Sequence, residues 1–400
     1  MAEAANSKRF ASNEGQSARR RYPVEPAVDE ALTRRLAIRE AAGAHYSSPT
    51  LADVRQRLEG FLASEVDGPI VVHDLEPLTG GASKEQYVFP LDWTCDGERR
   101  TAEKMVLRCE PAASIVETSR RREFELMRFG AALMPVPAVY FIDPDGAKMG
   151  TPVLVSAFVP GVQKPAKAAS NVTGMGIHFP EDYRKALVPQ YASYMAALHR
   201  AEPSAEALPS FVIPAAGTTE APELIVNWWA RTWHEDRYED VPIATVTEQW
   251  LRRNAPVLDR ASVVHGDFRT GNFLFDEAER RITAVLDWEL GYVGDRHGDL
   301  GWVLTDLYVT RENGKPFHCG LFESEDALVE AYLAAGGLPI DRKTLLWHKI
   351  FCTWKQLVLS LGCALRAGDG LTHQDVLLTW LSSCGYTLCE ALRSLLEREG

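Results

Sequence analysis

Apolar and polar residues recur with two different periods along this chain, and the change of period divides it. From Pro26 to Ala42, PAVDEALTRRLAIREAA, the apolar positions fall at helical spacing and the run stops at a glycine. Thr50 to Glu65, TLADVRQRLEGFLASE, predicts a second helix. The character then changes. PIVVHDLEPL reads as a strand; TGGASKEQYVFPL is a glycine turn running into another; EKMVLRCEP is a third, ended by a proline. SIVETSRRREFELMRFGAAL returns to helical spacing, and VPAVYFIDPDG and GTPVLVSAFVPG are two more strands. Three strands, one helix and two strands describe a small antiparallel-type sheet carrying one helix.

Beyond Gly161 comes a linker-like stretch, VQKPAKAASNVTGMG, and then a mainly helical region. DYRKALVPQYASYMAALHR and ELIVNWWARTWHEDRYED predict long amphipathic helices, and LLWHKIFCTWKQLVLSLGCALRAG and DVLLTWLSSCGYTLCEALRSLLE predict helices at the end. The resulting fold class is α+β and bilobal. Residues 1–21 form a polar tail, 22–65 a helical extension that caps the N-lobe or forms a dimer contact, 66–158 a small β-rich N-lobe, and 159–400 a larger, mainly helical C-lobe, with a hinge near 157–161.

Composition narrows the function. A hydrophobic content of 46% and a charged content of 24% are those of a globular protein. A net charge of −12 argues against a nucleic-acid-binding role. The seven cysteines form no CxxC pair, no secretory signal precedes them, and no apolar run is long enough to span a bilayer. The expectation is a cytoplasmic protein with free thiols, without membrane or nucleic-acid partners, monomeric or homodimeric.

The densest chemistry lies in VVHGDFRTGNFLFD, Val263 to Asp276, between two short apolar runs. His265, Asp267 and Asn272 form H-x-D-x-x-x-x-N, the spacing of a protein-kinase catalytic loop. There a carboxylate faces the substrate hydroxyl, and an amide oxygen further along faces a Mg²⁺ on the nucleotide phosphates. Gly266 and Gly271 permit the backbone angles such a loop needs. A second metal-binding acid belongs on the next strand, and ITAVLDWE supplies Asp287, twenty positions after Asp267. Oxygen ligands of this kind suit Mg²⁺.

The sheet region offers the remaining parts in the right order. The backbone of Gly80, Gly81, Ala82 and Ser83, in a turn between strands, can approach a polyphosphate, although a plain hairpin turn reads the same way. Arg108 in MVLRCEP is placed to meet the α- and β-phosphates, with Lys104 as the alternative cation. Glu123 is the candidate partner for that cation, with Glu125 second because it lies on another side of the helix. Arg269 either stabilises transition-state charge or shapes the loop as a salt bridge. Trp228, Trp229 and Trp233 either stack on a substrate or pack the core.

With these residues laid out, the chain resembles the aminoglycoside phosphotransferase family, the small-molecule branch of the protein-kinase-like fold. HGDFRTGN, LDWE and GDRHGDLGW carry the resemblance, which covers roughly residues 65–390. It implies γ-phosphoryl transfer from ATP, with GTP an alternative, to a hydroxyl of a small molecule. By position, Asp267 is the catalytic base, Asn272 and Asp287 the Mg²⁺ ligands, Arg108 the counterpart of the N-lobe lysine with Glu123 its partner, and Ala157 to Val159 the linker that meets the adenine. Asp299 and His265 are expected to be structural. HGDFRTGN with Arg in VLR is similar to the branch fused to acyl-CoA dehydrogenases, which implies a catabolic acceptor such as a hydroxyacyl-CoA; aminoglycoside, macrolide, choline and homoserine kinases share the core motifs. Two rival readings are a hydrolase using His265, Asp267, His297 and Asp299 as Zn²⁺ ligands, and a nucleotide-binding scaffold without activity.

Overall fold

The computed structural model describes residues 18–42, 49–78, 84–110, 118–166, 177–237, 240–368 and 376–398. Two helices come first, α1 (Pro26–Ala42) and α2 (Leu51–Glu65). Helix α2 starts on a reciprocal cap, with Asp53 N donating to Thr50 Oγ1 at 3.2 Å and Thr50 N donating to the Asp53 carboxylate at 3.3 Å.

The sheet lobe follows: β1 (Val71–Val72), β2 (Glu76–Pro77), β3 (Glu85–Cys95), β4 (Glu98–Cys109), helix α3 (Arg120–Ala131), β5 (Val139–Asp143) and β6 (Val153–Ala157). Every pairing is antiparallel, in the spatial order β1-β3-β4-β6-β5, with β2 also against β3. Strand β3 turns Tyr87, Phe89, Leu91 and Trp93 inward at alternate positions, as a half-buried strand should. The single strand expected over 69–78 is instead two short pieces. His73 N donates to Pro90 O at the break, and Pro90 has no N–H to return.

The helical lobe contains α4 (Glu181–Arg200), α5 (Glu220–Asp236), α6 (Pro242–Arg253), β7 (Ser262–Val264), β8 (Phe273–Asp276), β9 (Arg281–Val285), β10 (Tyr292–Gly294), α7 (His297–Val303), β11 (Val309–Glu312), β12 (Lys315–His318), α8 (Glu325–Ala334), α9 (Arg342–Gly368) and α10 (Val376–Glu397). Its strands form three antiparallel ribbons, β7–β10, β8–β9 and β11–β12. Helix α7 has no sequence signature because all seven of its residues are buried, which leaves no polar face to create a period. Helix α5 keeps an exposed polar side at its start, at Glu220 and Glu223. Trp228 to Trp233 are consecutively buried, so its tryptophans pack the core.

The N-terminal extension divides. Val54, Leu58, Phe61 and Leu62 of α2 join the core of the sheet lobe, whereas Tyr22, Val28 and Leu32 join the core of the helical lobe. Residues 18–20 are already helical and Ala18 is buried, so the tail gives way to structure before residue 21.

Helix α3 lies against the segment Trp288–Gly291 of the other lobe. A Cβ on Gly130 would stand 2.5 Å from the Trp288 ring, and one on Gly291 would stand 2.3 Å from Leu126. The Trp288 ring is fully buried and cannot swing aside. Gly130→Ala is therefore expected to lower stability by about 1–3 kcal/mol through overpacking, outweighing the roughly 1 kcal/mol that alanine contributes in a helix. Urea unfolding of the variant measures the difference.

Candidate active site

Strand β7 delivers Val264, and the loop that follows returns the chain at Phe273 in β8. Gly266 has φ +79°, and a Cβ there would lie 2.2 Å from Leu290 O; Gly271 has φ +99°. Both positions need glycine, for conformation in each case and for space at Gly266. The loop is held from below. Asp299 of α7, fully buried, accepts hydrogen bonds from His265 N (2.9 Å) and Gly266 N (2.8 Å), and pairs with His199 Nε2 at 3.1 Å. His265 donates from Nε2 to Leu286 O (2.9 Å) and accepts from Asp267 N at Nδ1 (3.2 Å). These two bonds define one neutral tautomer, and burial lowers the His265 pKa, which keeps the ring uncharged. Both residues thus shape the loop.

Asp267 is surrounded by donors. Its Oδ1 accepts from Trp302 Nε1 (2.6 Å) and Arg269 Nε (2.9 Å), and its Oδ2 accepts from Asn272 Nδ2 (2.7 Å). Asn272 Nδ2 also donates to Asp267 O at 3.0 Å, which turns the Asn272 Oδ1 away from the carboxylate. Burial raises the Asp267 pKa although Arg269 pulls the other way. Arg269 therefore makes the loop salt bridge directly with Asp267, and its guanidinium sits 5.1 Å over the Tyr308 ring. Behind the loop, Lys355 of α9 is buried and donates from Nζ to Gly266 O at 2.7 Å. Its ammonium lies 4.3 Å over the Trp302 ring and 5.1 Å over the Trp229 ring, and burial lowers its pKa.

Asp287 follows β9 in the left-handed conformation, φ 67° and ψ 52°, which is strained for a residue with a side chain. Its side chain is 31% exposed against 11% for Asp267, so it faces the cleft. Arg108 of β4 reaches it across the lobes, with Nη2 2.8 Å from Asp287 Oδ1, while Nη1 stands 2.9 Å from Glu123 Oε1 on α3. Glu125, the second candidate for that pairing, instead accepts from Ser210 N (3.0 Å) and Ser210 Oγ (2.6 Å). Lys104 also lies elsewhere, 5.6 Å over the Phe158 ring.

Four further buried groups enlarge the Arg108–Glu123 pair. Lys84 is 2.7 Å from Glu110 and 3.3 Å from Glu289; Arg120 is 2.9 Å from Glu289 and also pairs with Glu123. Burial opposes every one of these charges. The carboxylates nevertheless hold the Arg108 pKa above its ordinary value, and Lys84, Arg120 and Arg108 hold that of Glu289 below its own. For Glu110 burial wins and the pKa rises.

At the linker, Ala157 N and Phe158 N donate to the carbonyls of Ala138 and Lys104, both at 2.8–2.9 Å. A ligand's acceptor would have to be met at the Val159 N–H. Gly80, Gly81, Ala82 and Ser83 lie outside the described residues.

The proposed zinc ligands do not converge. His265 uses both ring nitrogens within the loop, Asp299 uses both oxygens beneath it, and His297 pairs with Asp295 and accepts from Asp341 N. Among the described residues no group of three or more His, Cys, Asp or Glu side chains comes together as a metal site. Asn272 Oδ1 and the Asp287 carboxylate, by contrast, are hard oxygen donors of the kind that suits Mg²⁺.

The model of the phosphotransferase enzyme family matches residues 74–347, well over half of the sequence and all of this site except Lys355. The chain belongs to that family. It is a small-molecule kinase by family, with the kinase-like bilobal fold. Solved structures agree on the fold: a Ralstonia eutropha protein described as an aminoglycoside phosphotransferase has a TM-score of 0.60 at 20% identity, covering 86% of this chain and 98% of that one. Macrolide 2′-phosphotransferase type I has a TM-score of 0.52 at 19% identity, covering 86% and 98%. A variant of aminoglycoside phosphotransferase APH(4)-Ia, solved with AMP-PNP and hygromycin B, has 0.51 at 18% identity, covering 84% and 98%. Curated relatives include acyl-CoA dehydrogenase family member 10 of Mus musculus, 26% identical over 260 residues, and member 11 of Homo sapiens, 28% identical over 199. These matches span 63% and 49% of this chain but only 22% and 24% of the relatives, so the phosphotransferase covers about a quarter of their length.

In this kinase, sequence reasoning missed Lys84, Glu110, Arg120, Glu289, Trp302 and Lys355. Glu289 was within reach, since it completes the LDWE motif; Lys355 has no local signal, being one cation on a long helix. Lys355→Met is expected to reduce turnover by roughly tenfold, about 1.4 kcal/mol of barrier, read by nucleoside diphosphate release. Asp295 and Asp299 yield an acid-stability test. Burial raises both carboxyls, but His297 and His348 at Asp295, and His199 and His265 at Asp299, hold them below the ordinary 3.8. Their contribution is present in full above that value and is lost as pH falls below it. Asp299→Asn is expected to lower the urea midpoint at pH about 7 and to flatten its decline between pH about 5 and about 3.

Proposed function

We propose that this phosphotransferase moves the γ-phosphoryl group of ATP directly to a hydroxyl of a small molecule, with Asp267 as the base. The reading takes residues 66–158 as the nucleotide lobe and 159–400 as the catalytic lobe, with ATP between them and its adenine against the 157–159 linker. The observation that carries it is the donor ring around Asp267. Trp302, Arg269 and Asn272 hold the carboxylate by both oxygens, and the raised pKa makes it a better proton acceptor than a solvated aspartate.

Each residue has one task in this mechanism. Asp267 orients the acceptor hydroxyl and takes its proton as the new P–O bond forms and the bond from the γ-phosphorus to the leaving ADP breaks. Arg269, beside it, offers positive charge to the transferring phosphoryl group. Arg108, placed by Glu123, turns to the α- and β-phosphates. Asn272 Oδ1 and Asp287 hold Mg²⁺, which supplies charge neutralisation of the polyphosphate when bound. Covalent participation by the protein is small; positioning and electrostatics dominate.

The acceptor we propose is a hydroxyacyl-CoA or a similar catabolic hydroxy compound. This reading is supported by the curated relatives that carry the acyl-CoA dehydrogenase name, which match at higher identity than the antibiotic phosphotransferases. ADP release in the presence of ATP and Mg²⁺ tests it against a panel of hydroxyacyl-CoA thioesters, the free hydroxy acids, aminoglycosides, macrolides, choline and homoserine. Stimulation by the thioesters is the expected result, and stimulation by any other class alone overturns the assignment. Asp267→Ala is expected to lower turnover by about 10²–10⁴-fold while AMP-PNP binding measured by calorimetry changes little. Near-normal turnover would remove Asp267 from its role.

A further inference from the structure

Residues 22–34 precede the segment matched by the family and cross from one lobe to the other. On the helical lobe, Asp29 pairs with Arg231 of α5, Tyr22 Oη is 2.8 Å from His234 Nε2, and Asn227 donates to Pro23 O at 2.9 Å. On the sheet lobe, Arg34 donates to Pro144 O and pairs with Asp145, both at 3.0 Å, in the turn after β5. Between these anchors sits Glu25, buried. Its Oε2 accepts from Arg122 Nη1 of α3 at 2.7 Å, and its Oε1 accepts from Val212 N of the helical lobe at 2.8 Å.

Arg122 is a junction as well. Its guanidinium lies 3.9 Å over the Phe211 ring and donates to Gly291 O at 3.4 Å. It immediately precedes Glu123, the partner of Arg108. A buried ion pair is retained for geometry more readily than for stability, because desolvation offsets most of its attraction. Here the geometry at stake is that of α3. With Glu25 in place, α3 can neither rotate nor lift from Trp288–Gly291 without breaking a buried charged contact, and Glu123 stays aimed at Arg108.

We infer that residues 22–34 form a strap that positions α3, and through Glu123 positions Arg108, for nucleotide binding. Glu25 is the residue through which the strap acts. This inference rests on the reading that Arg108 meets the nucleotide phosphates.

A double-mutant cycle on the full chain separates the two ideas, with Mg²⁺ and AMP-PNP as the probe and calorimetry as the readout. Glu25→Gln keeps shape and removes the charge. It is expected to weaken AMP-PNP binding by roughly tenfold, within the usual range of coupling between sites. The apo variant should still unfold in one transition, and amide exchange over residues 120–131 should quicken. Arg108→Ala should weaken binding by itself, and adding Glu25→Gln to it should cost little more, because the strap acts through Arg108. Unchanged affinity in folded Glu25→Gln overturns the strap, as does a full additional loss in the Arg108→Ala background. Unchanged affinity in Arg108→Ala overturns the reading of the nucleotide site itself, and the strap's role with it.

Discussion

The contact between Arg108 and Asp287 is the constraint on which the rest of this structure turns. It joins β4 of one lobe to the end of β9 in the other, and it lies at the edge of a buried network of Lys84, Arg108 and Arg120 with Glu110, Glu123 and Glu289. Removing so many charges from water is costly, and mutual attraction returns only part of that cost. What the network supplies is direction. Arg108 has its guanidinium split between Glu123 and Asp287, so the lobes meet at a defined angle. Asp287 is held in a left-handed conformation that an isolated chain would leave. In the proposed mechanism an incoming polyphosphate offers Arg108 an alternative set of oxygens, which frees the Asp287 carboxylate.

The catalytic loop solves the opposite problem. It must present a carboxylate whose orientation does not depend on the ligand. Asp299 receives the backbone amides of His265 and Gly266, Lys355 receives the Gly266 carbonyl, and the Tyr191 hydroxyl donates to the Phe268 carbonyl. A loop of this sharpness exposes backbone groups that no strand can satisfy, so its supports have to come from α4, α7 and α9. Trp302 then links support to chemistry: its indole nitrogen holds Asp267, and its ring covers the Lys355 ammonium. In the proposed mechanism Asp267 is thus preorganised by a frame that takes no part in the reaction, which is how fixed dipoles contribute to a transition state without reorganising.

Helix α3 connects the two arrangements. Its small residue Gly130 admits Trp288, its Glu123 holds Arg108, and its Arg122 and Glu125 reach back to Glu25 and Ser210. The helix therefore turns Glu123 to Arg108 and Arg122 to the N-terminal segment. The two halves of that segment have different duties, α1 with the helical lobe and α2 with the sheet lobe. Nothing in their similar helical spacing distinguishes them.

Much of the site was legible because catalytic motifs are local. His265, Asp267 and Asn272 share one loop, and Asp287 arrives on the next strand, so spacing along the chain carries their relation. Elements with one buried face, such as α2 and β3, also announce themselves through their period, and the bounds Pro26 to Ala42 matched to the residue. What the sequence concealed falls into two physical kinds. Elements buried on every side, α7 foremost, have no polar face to generate a period. Groups that act across the fold, such as Lys84, Arg120 and Lys355, gain their meaning only from partners 26, 169 and 89 positions away. The choice of Glu123 over Glu125 was legible from their separation around one helix, and Glu123 is the one that stands beside Arg108. The chain by itself determined the family and the candidate chemistry, because the side chains that carry them recur at short spacing in one loop and the strand after it. The tertiary structure decided orientation and support, because burial and long-range pairing exist only once the lobes have closed on each other.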